Sequence, residues 1–150
     1  MKASRLRLLM NIWPPFLAAG IRVREISEDY SRVRVEMHLR WYNRNYVRTH
    51  FGGSLFAMTD PFYMLMYLER LGRDYLVWDR SASIDFLRPG RGKVMAEFHL
   101  DDQSINSAKA AASSGEPVLI EHEVDVVDED GRTVARSHRT VYVRRKKKGR

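Results

Sequence analysis

Cysteine is absent from the 150 residues of this chain. Its absence excludes disulfide bonds, zinc–thiolate sites, iron–sulfur clusters and cysteine nucleophiles. A chain of this length buries about 68–70% of its unfolded surface, so it needs neither a disulfide nor a structural metal to hold a core. We therefore expect a protein without a metal or redox cofactor, and the lack of cysteine is compatible with a cytoplasmic location.

Long hydrophobic runs are also missing. No apolar segment reaches the roughly 18 residues that a transmembrane helix requires, and we expect no membrane association. The basic and then apolar N-terminus loosely resembles a signal peptide, but Asn11 and the pair Pro14–Pro15 interrupt the apolar stretch. Residues 6–13 instead predict a short amphipathic helix, which the proline pair ends.

The net charge of +7 comes mainly from the C-terminus. Residues 144–150 contain six basic residues and no acid, whereas residues 1–143 contain 20 basic and 19 acidic residues. Blocks of like charge are usually solvated and disordered. We therefore predict one domain over 1–143, followed by a basic disordered tail over 144–150. We expect no nucleic-acid partner, and binding of RNA or DNA through the tail is the alternative.

Alternation of apolar and polar residues predicts a sheet. Val33, Val35 and Met37 fall on one face of segment 31–39, which is typical of a half-buried strand. Asp130–Gly131 is a strong hairpin signal. The Ala/Ser-rich segment between the fourth and fifth predicted strands has room for a short helix. The other predicted strands lie at 21–25, 75–87, 93–100, 118–127 and 133–143.

The segment Ser54–Leu71 is apolar or aromatic on every side, which is typical of a buried helix. A single apolar helix in an antiparallel protein must be covered by the sheet. We therefore predict an α+β domain in which a curved antiparallel sheet wraps around one long central helix, after a short N-terminal helix. The exposed edge strands of such a sheet need protection, and we expect dimerisation to supply it.

Three segments resemble a known family. Gly52–Asp60 (GGSLFAMTD) resembles the G-G-x-x-F-x-x-x-D segment of hotdog-fold acyl-CoA thioesterases of the phenylacetate-pathway type. Ser83–Gly90 is similar to the family's next strand and its exit turn, and Asp128–Ala135 is similar to its last hairpin, D-x-x-G-x-x-V-A. The chain also looks like the DUF4442 group of hotdog proteins. The resemblance implies the hotdog fold.

The resemblance also implies a set of catalytic residues. The family's helix carboxylate falls on Asp60, which acts as nucleophile or as general base toward water at the thioester carbonyl. The family's glycine N–H at the helix start falls on Gly53 and donates to the carbonyl oxygen. Its loop asparagine falls on Asn45 and helps to place the water or the carbonyl. Where the family has a histidine this chain has Phe51, and His50, one residue earlier, is the candidate substitute.

The residue types themselves support a catalytic role for Asp60. It is the only charged residue between Arg48 and Glu69, and an apolar environment raises the pKa of a carboxylate and makes it a better base. The free N–H groups at a helix N-terminus can bind an oxyanion. The alternative is that Asp60 caps a helix that begins at Pro61, since aspartate followed by proline is a common helix start.

Arginines near the Pro89–Gly90 turn suggest a ligand that carries phosphate. Arg88 and Arg91 flank the turn, and Arg80 lies on the strand that leads to it. A guanidinium group matches phosphate geometry, so these residues are candidates for binding the phosphates of coenzyme A. The alternative is an ordinary basic turn.

Gly52, Ser54 and Thr59 are further candidates for contact with the substrate. Each has a structural alternative: Gly52 as part of a tight turn, and the two hydroxyls bonding the preceding helical turn. For Asn45 the alternative role is to form a turn. For His50 the alternative is an ordinary solvent-exposed position in the loop.

The sequence therefore predicts a cytoplasmic homodimer or tetramer that hydrolyses an acyl-CoA or acyl-carrier thioester, with coenzyme A only as part of the substrate. One alternative is an acyl-CoA-binding protein of the same fold without catalysis. It is favoured by Pro61 within the predicted helix and by the displaced histidine. The other is a hotdog dehydratase that uses His50.

Overall fold

The computed structural model describes residues 1–147, which form six strands and five helices. The strands are β1 (Ile21–Ile26), β2 (Arg32–His38), β3 (Tyr75–Phe86), β4 (Lys93–His99), β5 (Val118–Val127) and β6 (Thr133–Arg145). The helices are α1 (Ala3–Ile12), α2 (Pro14–Ala19), α3 (Gly52–Ala57), α4 (Phe62–Leu71) and α5 (Asp102–Ala111). The α+β class predicted from the sequence is confirmed.

The six strands form one antiparallel sheet in the order β1-β2-β4-β5-β6-β3. Alternation predicted the strands well because one face of each strand is buried: Val33, Val35 and Met37 are 0–2% exposed. β3 pairs with β6 and lies at one edge of the sheet. It carries the exposed apolar side chains of Trp78 and Phe86 along this edge.

The long central helix expected over Ser54–Leu71 is divided in two. α3 ends at Ala57 and α4 begins at Phe62. Pro61 has no N–H with which to continue the helix. The Ala57 carbonyl instead accepts the N–H of Asp60 at 3.1 Å, and the Asp60–Pro61 peptide bond is cis. The expectation of one continuous helix is wrong at this point, although both segments contribute to the same core.

Aromatic side chains on α4 form the centre of that core. The Phe62 ring lies 5.0 Å from the Phe98 ring of β4 and 6.0 Å from the Phe16 ring of α2, centroid to centroid. Met66 and Tyr67, one turn later, are also fully buried. Burial of such side chains stabilises the fold by about 1.5–3 kcal/mol each. This packing fixes α4 against the sheet and therefore fixes the position of the α3–α4 break.

The N-terminal segment forms two helices where the sequence predicts one. Pro14 and Pro15 end α1, as predicted, and they also occupy the first turn of α2. N–H groups in the first turn of a helix have no acceptor within the helix, so proline costs no hydrogen bond there. Asn11 joins α1 to β1, since its Nδ2 donates to the Val23 carbonyl at 3.0 Å and its Oδ1 accepts the Val23 N–H at 2.9 Å.

The boundary of the predicted basic tail shifts toward the C-terminus. Arg144 and Arg145 extend β6 and pair with the start of β3, and the Lys146 N–H donates to the Asp74 carbonyl at 2.8 Å. The long edge strand supplies these residues with backbone partners, so the local charge does not prevent strand formation. Residues 148–150 of the predicted tail lie outside the described residues.

Candidate functional site

Asp60 lies at the break between α3 and α4, and its side chain is 54% exposed. Pro61 occupies the N-cap of α4, and no side chain caps that helix end. The structure therefore contradicts the alternative in which Asp60 is a helix cap. It also contradicts the apolar surroundings expected for this carboxylate, because the group is half-exposed and faces an arginine.

That arginine, Arg139, projects inward from β6 and is 5% exposed. Its Nη1 lies 3.3 Å from Asp60 Oδ1 and 3.4 Å from Asp79 Oδ2 of β3. Its Nη2 donates to the Phe56 carbonyl at 3.3 Å and to Thr59 Oγ1 at 3.0 Å. The guanidinium also lies over the Phe56 ring, 4.8 Å from its centroid. Arg139 thus ties the end of α3 to two carboxylates.

The two hydroxyl residues predicted to contact substrate are buried. Thr59 is 1% exposed, and its hydroxyl lies 2.8 Å from the Phe56 carbonyl and 3.1 Å from Ser137 Oγ. Ser54 lies in the first turn of α3 and is also buried. The Thr59 hydroxyl therefore bonds the preceding helical turn, which was the structural alternative to substrate contact for this residue. The same hydroxyl accepts a hydrogen bond from Arg139.

Asp79 is a carboxyl group of this cluster with a raised pKa. Burial raises that pKa from 3.8 to about 6, and the nearby Asp60 carboxylate acts in the same direction. The Arg139 guanidinium opposes them by favouring the charged form. Asp79 comes directly before a bulge at Arg80, where β3 shifts register against β6. Such a bulge re-aims the side chains beside it.

Gly52 and Gly53 open α3, and among the described residues their N–H groups have no backbone acceptor. A Cβ on Gly52 would lie 2.8 Å from the Phe86 ring, so glycine permits this close approach to the end of β3. Gly53 is exposed. It lies seven positions before Asp60, at the opposite end of α3 from the break that carries that carboxylate.

A cavity of about 710 Å³ lies between the loop that follows β2 and the turn that follows β3. It brings together five of the residues predicted from the sequence, and these are Asn45, His50, Gly52, Arg88 and Arg91. The other lining residues are Val47, Thr49, Leu55, Phe86, Leu87, Pro89 and Gly90. Asp60 does not line this cavity.

His50 is 3% exposed, so it is not a solvated loop residue. Its Nε2 donates to the Gly92 carbonyl at 2.9 Å, while its Nδ1 is buried without a partner among the described residues. Burial lowers the pKa of the imidazole. The ring therefore joins the loop to the β3–β4 turn in its neutral form.

Asn45 organises the loop. Its Oδ1 accepts the Thr49 N–H at 3.0 Å, and its Nδ2 donates to Thr49 Oγ1 at 2.9 Å. These bonds close a turn, in agreement with the turn-forming alternative. The amide thus holds one wall of the cavity in place.

The three candidate arginines do not form one group. Arg88 and Arg91 line the cavity and are exposed, and Arg88 Nη1 also donates to the Thr133 carbonyl at 3.3 Å. Arg80 is exposed at the bulge of β3 and does not line the cavity. The turn therefore offers two guanidinium groups to a ligand.

Sequence reasoning missed Asp79 and Arg139. A signal for Arg139 was present, because the inward-facing positions of β6 are Ser137, Arg139, Val141 and Val143, and a charged residue in that series must find a buried partner. No comparable signal marks Asp79, since its strand is largely exposed. Its position depends on the bulge and on pairing with β6.

Two other classes of site have no counterpart in residues 1–147. No group of three or more histidine, aspartate or glutamate side chains is arranged to hold a metal ion there. Over the same range, no helix has both the length and the apolar character needed to cross a membrane.

Comparison with known proteins identifies the fold. Residues 2–143 match the model of a family described as a domain of unknown function, DUF4442. A protein of unknown function from Pseudomonas aeruginosa, described as a probable thioesterase, superposes with a TM-score of 0.86 at 20% identity, covering 97% of both chains. A search of curated proteins gave no significant match.

Two further solved structures are similar over nearly their whole length. A thioesterase from Haemophilus influenzae has a TM-score of 0.68 at 16% identity, covering 97% of this chain and 92% of its own. The Escherichia coli PaaI protein of the phenylacetic acid degradation operon has a TM-score of 0.62 at 16% identity, covering 96% and 92%. The fold of this chain is the hotdog fold, as the three sequence segments implied.

Proposed function

The chain belongs to the DUF4442 family, and its likeness to solved structures described as thioesterases leads to a proposal of function: we propose that it is a thioesterase that hydrolyses an acyl-CoA or acyl-carrier thioester by attack of water. One observation carries the proposal: the Asp60 carboxylate is solvent-accessible at a break in the central helix and is held there by the buried Arg139. A fixed, accessible carboxylate can take a proton from water as the water attacks a carbonyl carbon.

Gly53 supplies the second element of the proposed reaction. Its free N–H donates to the thioester carbonyl oxygen as negative charge develops there. Asp60 acts in this proposal as a general base toward water.

The cavity supplies the third element, a place for coenzyme A. Its walls are apolar at Val47, Leu55 and Phe86, and two guanidinium groups stand at its rim. The apolar walls suit the pantetheine arm, and Arg88 and Arg91 suit the phosphates. Coenzyme A would act only as part of the substrate, with no separate cofactor.

We expect the substitution of Arg88 and Arg91 by alanine to weaken binding of acyl-CoA and to spare the chemistry. A charge-assisted hydrogen bond contributes about 1.5–3 kcal/mol, so the loss of even one of the two arginine contacts should raise KM for acyl-CoA at least about 10-fold. The KM for the matching N-acetylcysteamine thioester, which lacks the nucleotide, should not change. Steady-state kinetics on both substrates make the comparison, and an equal rise in both KM values would contradict the assignment.

Replacement of Gly53 by proline tests the oxyanion role, because proline removes the N–H while fitting the first turn of a helix. We expect kcat to fall roughly 100- to 1,000-fold. Gly53→Ala is the matched control, since it keeps the N–H. The atoms nearest to its Cβ would belong to the exposed Phe51 side chain, which can move. Equal losses in both variants would mean that space, and not the N–H, matters at this position.

Several observations support a homodimer as the working form. β3 offers a free edge of 12 residues with exposed Trp78 and Phe86, and the loop beside the cavity exposes Trp41, Tyr46 and Phe51. A sheet edge of this kind is usually covered. Light scattering in solution should give two or four times the mass of 17.6 kDa.

The lack of cysteine agrees with the cytoplasm as the proposed location.

A panel of acyl-CoA thioesters with a free-thiol assay tests the function itself. Release of thiol at rates above the uncatalysed reaction supports hydrolysis. The second candidate, an acyl-CoA-binding protein without catalysis, is favoured by the burial of His50 and by the internal hydrogen bonds of Asn45. Tight binding measured by calorimetry with no thiol release would establish that candidate and overturn the first.

A further inference from the structure

The N-terminal helices α1 and α2 cover the edge of the sheet opposite to β3. β1 is the edge strand on that side, and Asn11 of α1 bonds both the N–H and the carbonyl of Val23 in β1. Ala3 and Met10 of α1 and Phe16 of α2 are buried in the core. Asn11 thus supplies the partners that a neighbouring strand would otherwise supply, and the inner side of the helix pair is fixed to the protein.

The outer side of the helix pair is apolar and exposed. Leu8 and Ile12, four positions apart on α1, are 63% and 60% exposed. Leu9, Trp13 and Leu17 follow one another at the same spacing and are also exposed. Because residues four apart lie on one side of a helix, α1 has one apolar side in the core and a second in contact with solvent. We call these five exposed residues the outer face. An exposed apolar cluster of this kind marks an interaction site.

The charge next to the outer face is positive. Residues 1–24 contain five basic residues and no acidic residue. Arg5 comes three and four positions before Leu8 and Leu9, so it lies on the same side of α1, where it is exposed. Its guanidinium has no carboxylate partner among residues 1–147. A negatively charged partner would therefore meet a positive charge that the protein itself does not neutralise.

The loop after β2 extends this surface at the end of α2. Asn43 Nδ2 donates to the Ala19 carbonyl at 3.0 Å, and a Cβ on Gly20 would lie 3.1 Å from the Tyr42 hydroxyl. The Arg40 N–H donates to Asn43 Oδ1 at 2.6 Å, which holds Arg40 beside these contacts. Arg40 and Tyr42 are exposed. The loop thus adds a second arginine and an aromatic ring to the surface beside α2.

We propose that the outer face, together with Arg5 and Arg40, binds the surface of an anionic lipid bilayer, with α1 lying in the plane of the interface. Apolar helical faces bordered by arginine are typical of interfacial helices, and tryptophan and tyrosine rings favour the boundary between headgroups and hydrocarbon. Such a helix needs no spanning length. The lack of long apolar runs, from which we expected no membrane association, therefore does not exclude this contact.

A second copy of the chain is the less favoured occupant of the outer face. The proposed dimer uses β3, which lies at the opposite edge of the sheet from the helix pair. Two copies of the outer face would also bring like charges together, because each carries Arg5 without a nearby acid in residues 1–24. An anionic bilayer offers both the negative charge and the apolar layer that this surface lacks.

Cosedimentation of the 150-residue chain with lipid vesicles tests the charge. We expect the wild type to bind vesicles of phosphatidylcholine and phosphatidylserine more tightly than vesicles of phosphatidylcholine alone. Arg5→Gln combined with Arg40→Gln should lower the partition coefficient on the mixed vesicles roughly 10- to 30-fold and leave it unchanged on the neutral ones. The control removes the same charge at exposed arginines that have carboxylate partners, Arg32→Gln with Arg132→Gln, and should change binding far less.

The apolar contact has its own variant. Leu8→Ser combined with Ile12→Ser should lower the partition coefficient on both kinds of vesicle at least about 10-fold. Leu119→Ser, at an exposed apolar position of β5, is the control and should bind as the wild type does. The basic residues of 144–150 attract anionic lipid in every variant, so the differences between variants report on the outer face.

Two results overturn the proposal: no binding of the wild type to the mixed vesicles, or wild-type binding by the Leu8→Ser, Ile12→Ser variant. Light scattering distinguishes the second copy. A mass that halves in this serine variant shows that another copy covers the outer face, and it also overturns lipid binding. The arginine variant removes no apolar contact and keeps the test decisive even if the serine variant does not fold. Thiol release is not measured in any of these experiments, so they stand whether or not the chain is a thioesterase.

Discussion

Asp60→Asn should abolish thioester hydrolysis and leave the fold intact. Removal of a general base lowers kcat by roughly 100- to 10,000-fold. The side chain is half-exposed and caps no helix, so its loss removes only one partly exposed contact with Arg139. We expect the free energy of unfolding to change by less than about 1 kcal/mol.

Thiol release at saturating acyl-CoA and urea unfolding of the same preparation measure both effects. The matched control is Asp130→Asn, an exposed carboxylate in the β5–β6 turn, which should leave both quantities unchanged. Full activity in Asp60→Asn would remove Asp60 from the mechanism. Loss of the folded state would instead show that the pairing with Arg139 is mainly structural.

Arg139→Met should cause a large loss of stability. The guanidinium is buried, and its removal leaves the Asp79 carboxylate, the Phe56 carbonyl and the Thr59 hydroxyl without their cationic partner. Removing one partner of a buried ion pair costs about 3–5 kcal/mol. Methionine fills a similar volume, so the loss reports on charge and hydrogen bonding more than on packing.

Arg136→Met on the same strand is the control. Arg136 is paired with Asp125 at 2.7 Å but is 40% exposed, so we expect a loss of at most about 1 kcal/mol. Urea unfolding at pH 7 and pH 5 gives a second check. The destabilisation by Arg139→Met should be smaller at pH 5, because protonation of Asp79 neutralises the charge that lost its partner. Equal losses of stability in the two variants would show that the buried contacts of Arg139 stabilise the fold no more than the partly exposed pair of Arg136.

The sequence predicted the elements of the fold because the underlying signals are local. Alternation placed Val33, Val35 and Met37 in the core, and β5 has the predicted bounds of 118–127. Apolar character on every side marked the central helical region from Ser54 onward, although α3 begins two residues earlier, at Gly52. The break at Pro61 follows from the missing N–H, yet only the structure shows that two separate helices result.

The candidate site was likewise predicted only in part from the sequence. The family resemblance selected Asp60, Gly53, Asn45 and His50, and residue type selected Arg88 and Arg91. The structure gathers Asn45, His50, Arg88 and Arg91 around one cavity. The sequence assigned no partner to Asp60. It also treated Arg80 as part of the arginine cluster, although a bulge leaves that residue outside the cavity.

What the sequence determined by itself is the α+β class, since periodicity and turn residues are properties of neighbouring positions; the resemblance of three short segments to a known family added the hotdog fold. What only the tertiary structure decided is the chemistry around Asp60. Asp79 and Arg139 lie 19 and 79 positions further along the chain. They meet Asp60 because β3 pairs with β6 in one register and shifts at a bulge, and because Arg139 of β6 hydrogen-bonds Phe56 at the end of α3 and Thr59 in the break. Contacts of that kind depend on long-range packing, which no local pattern records.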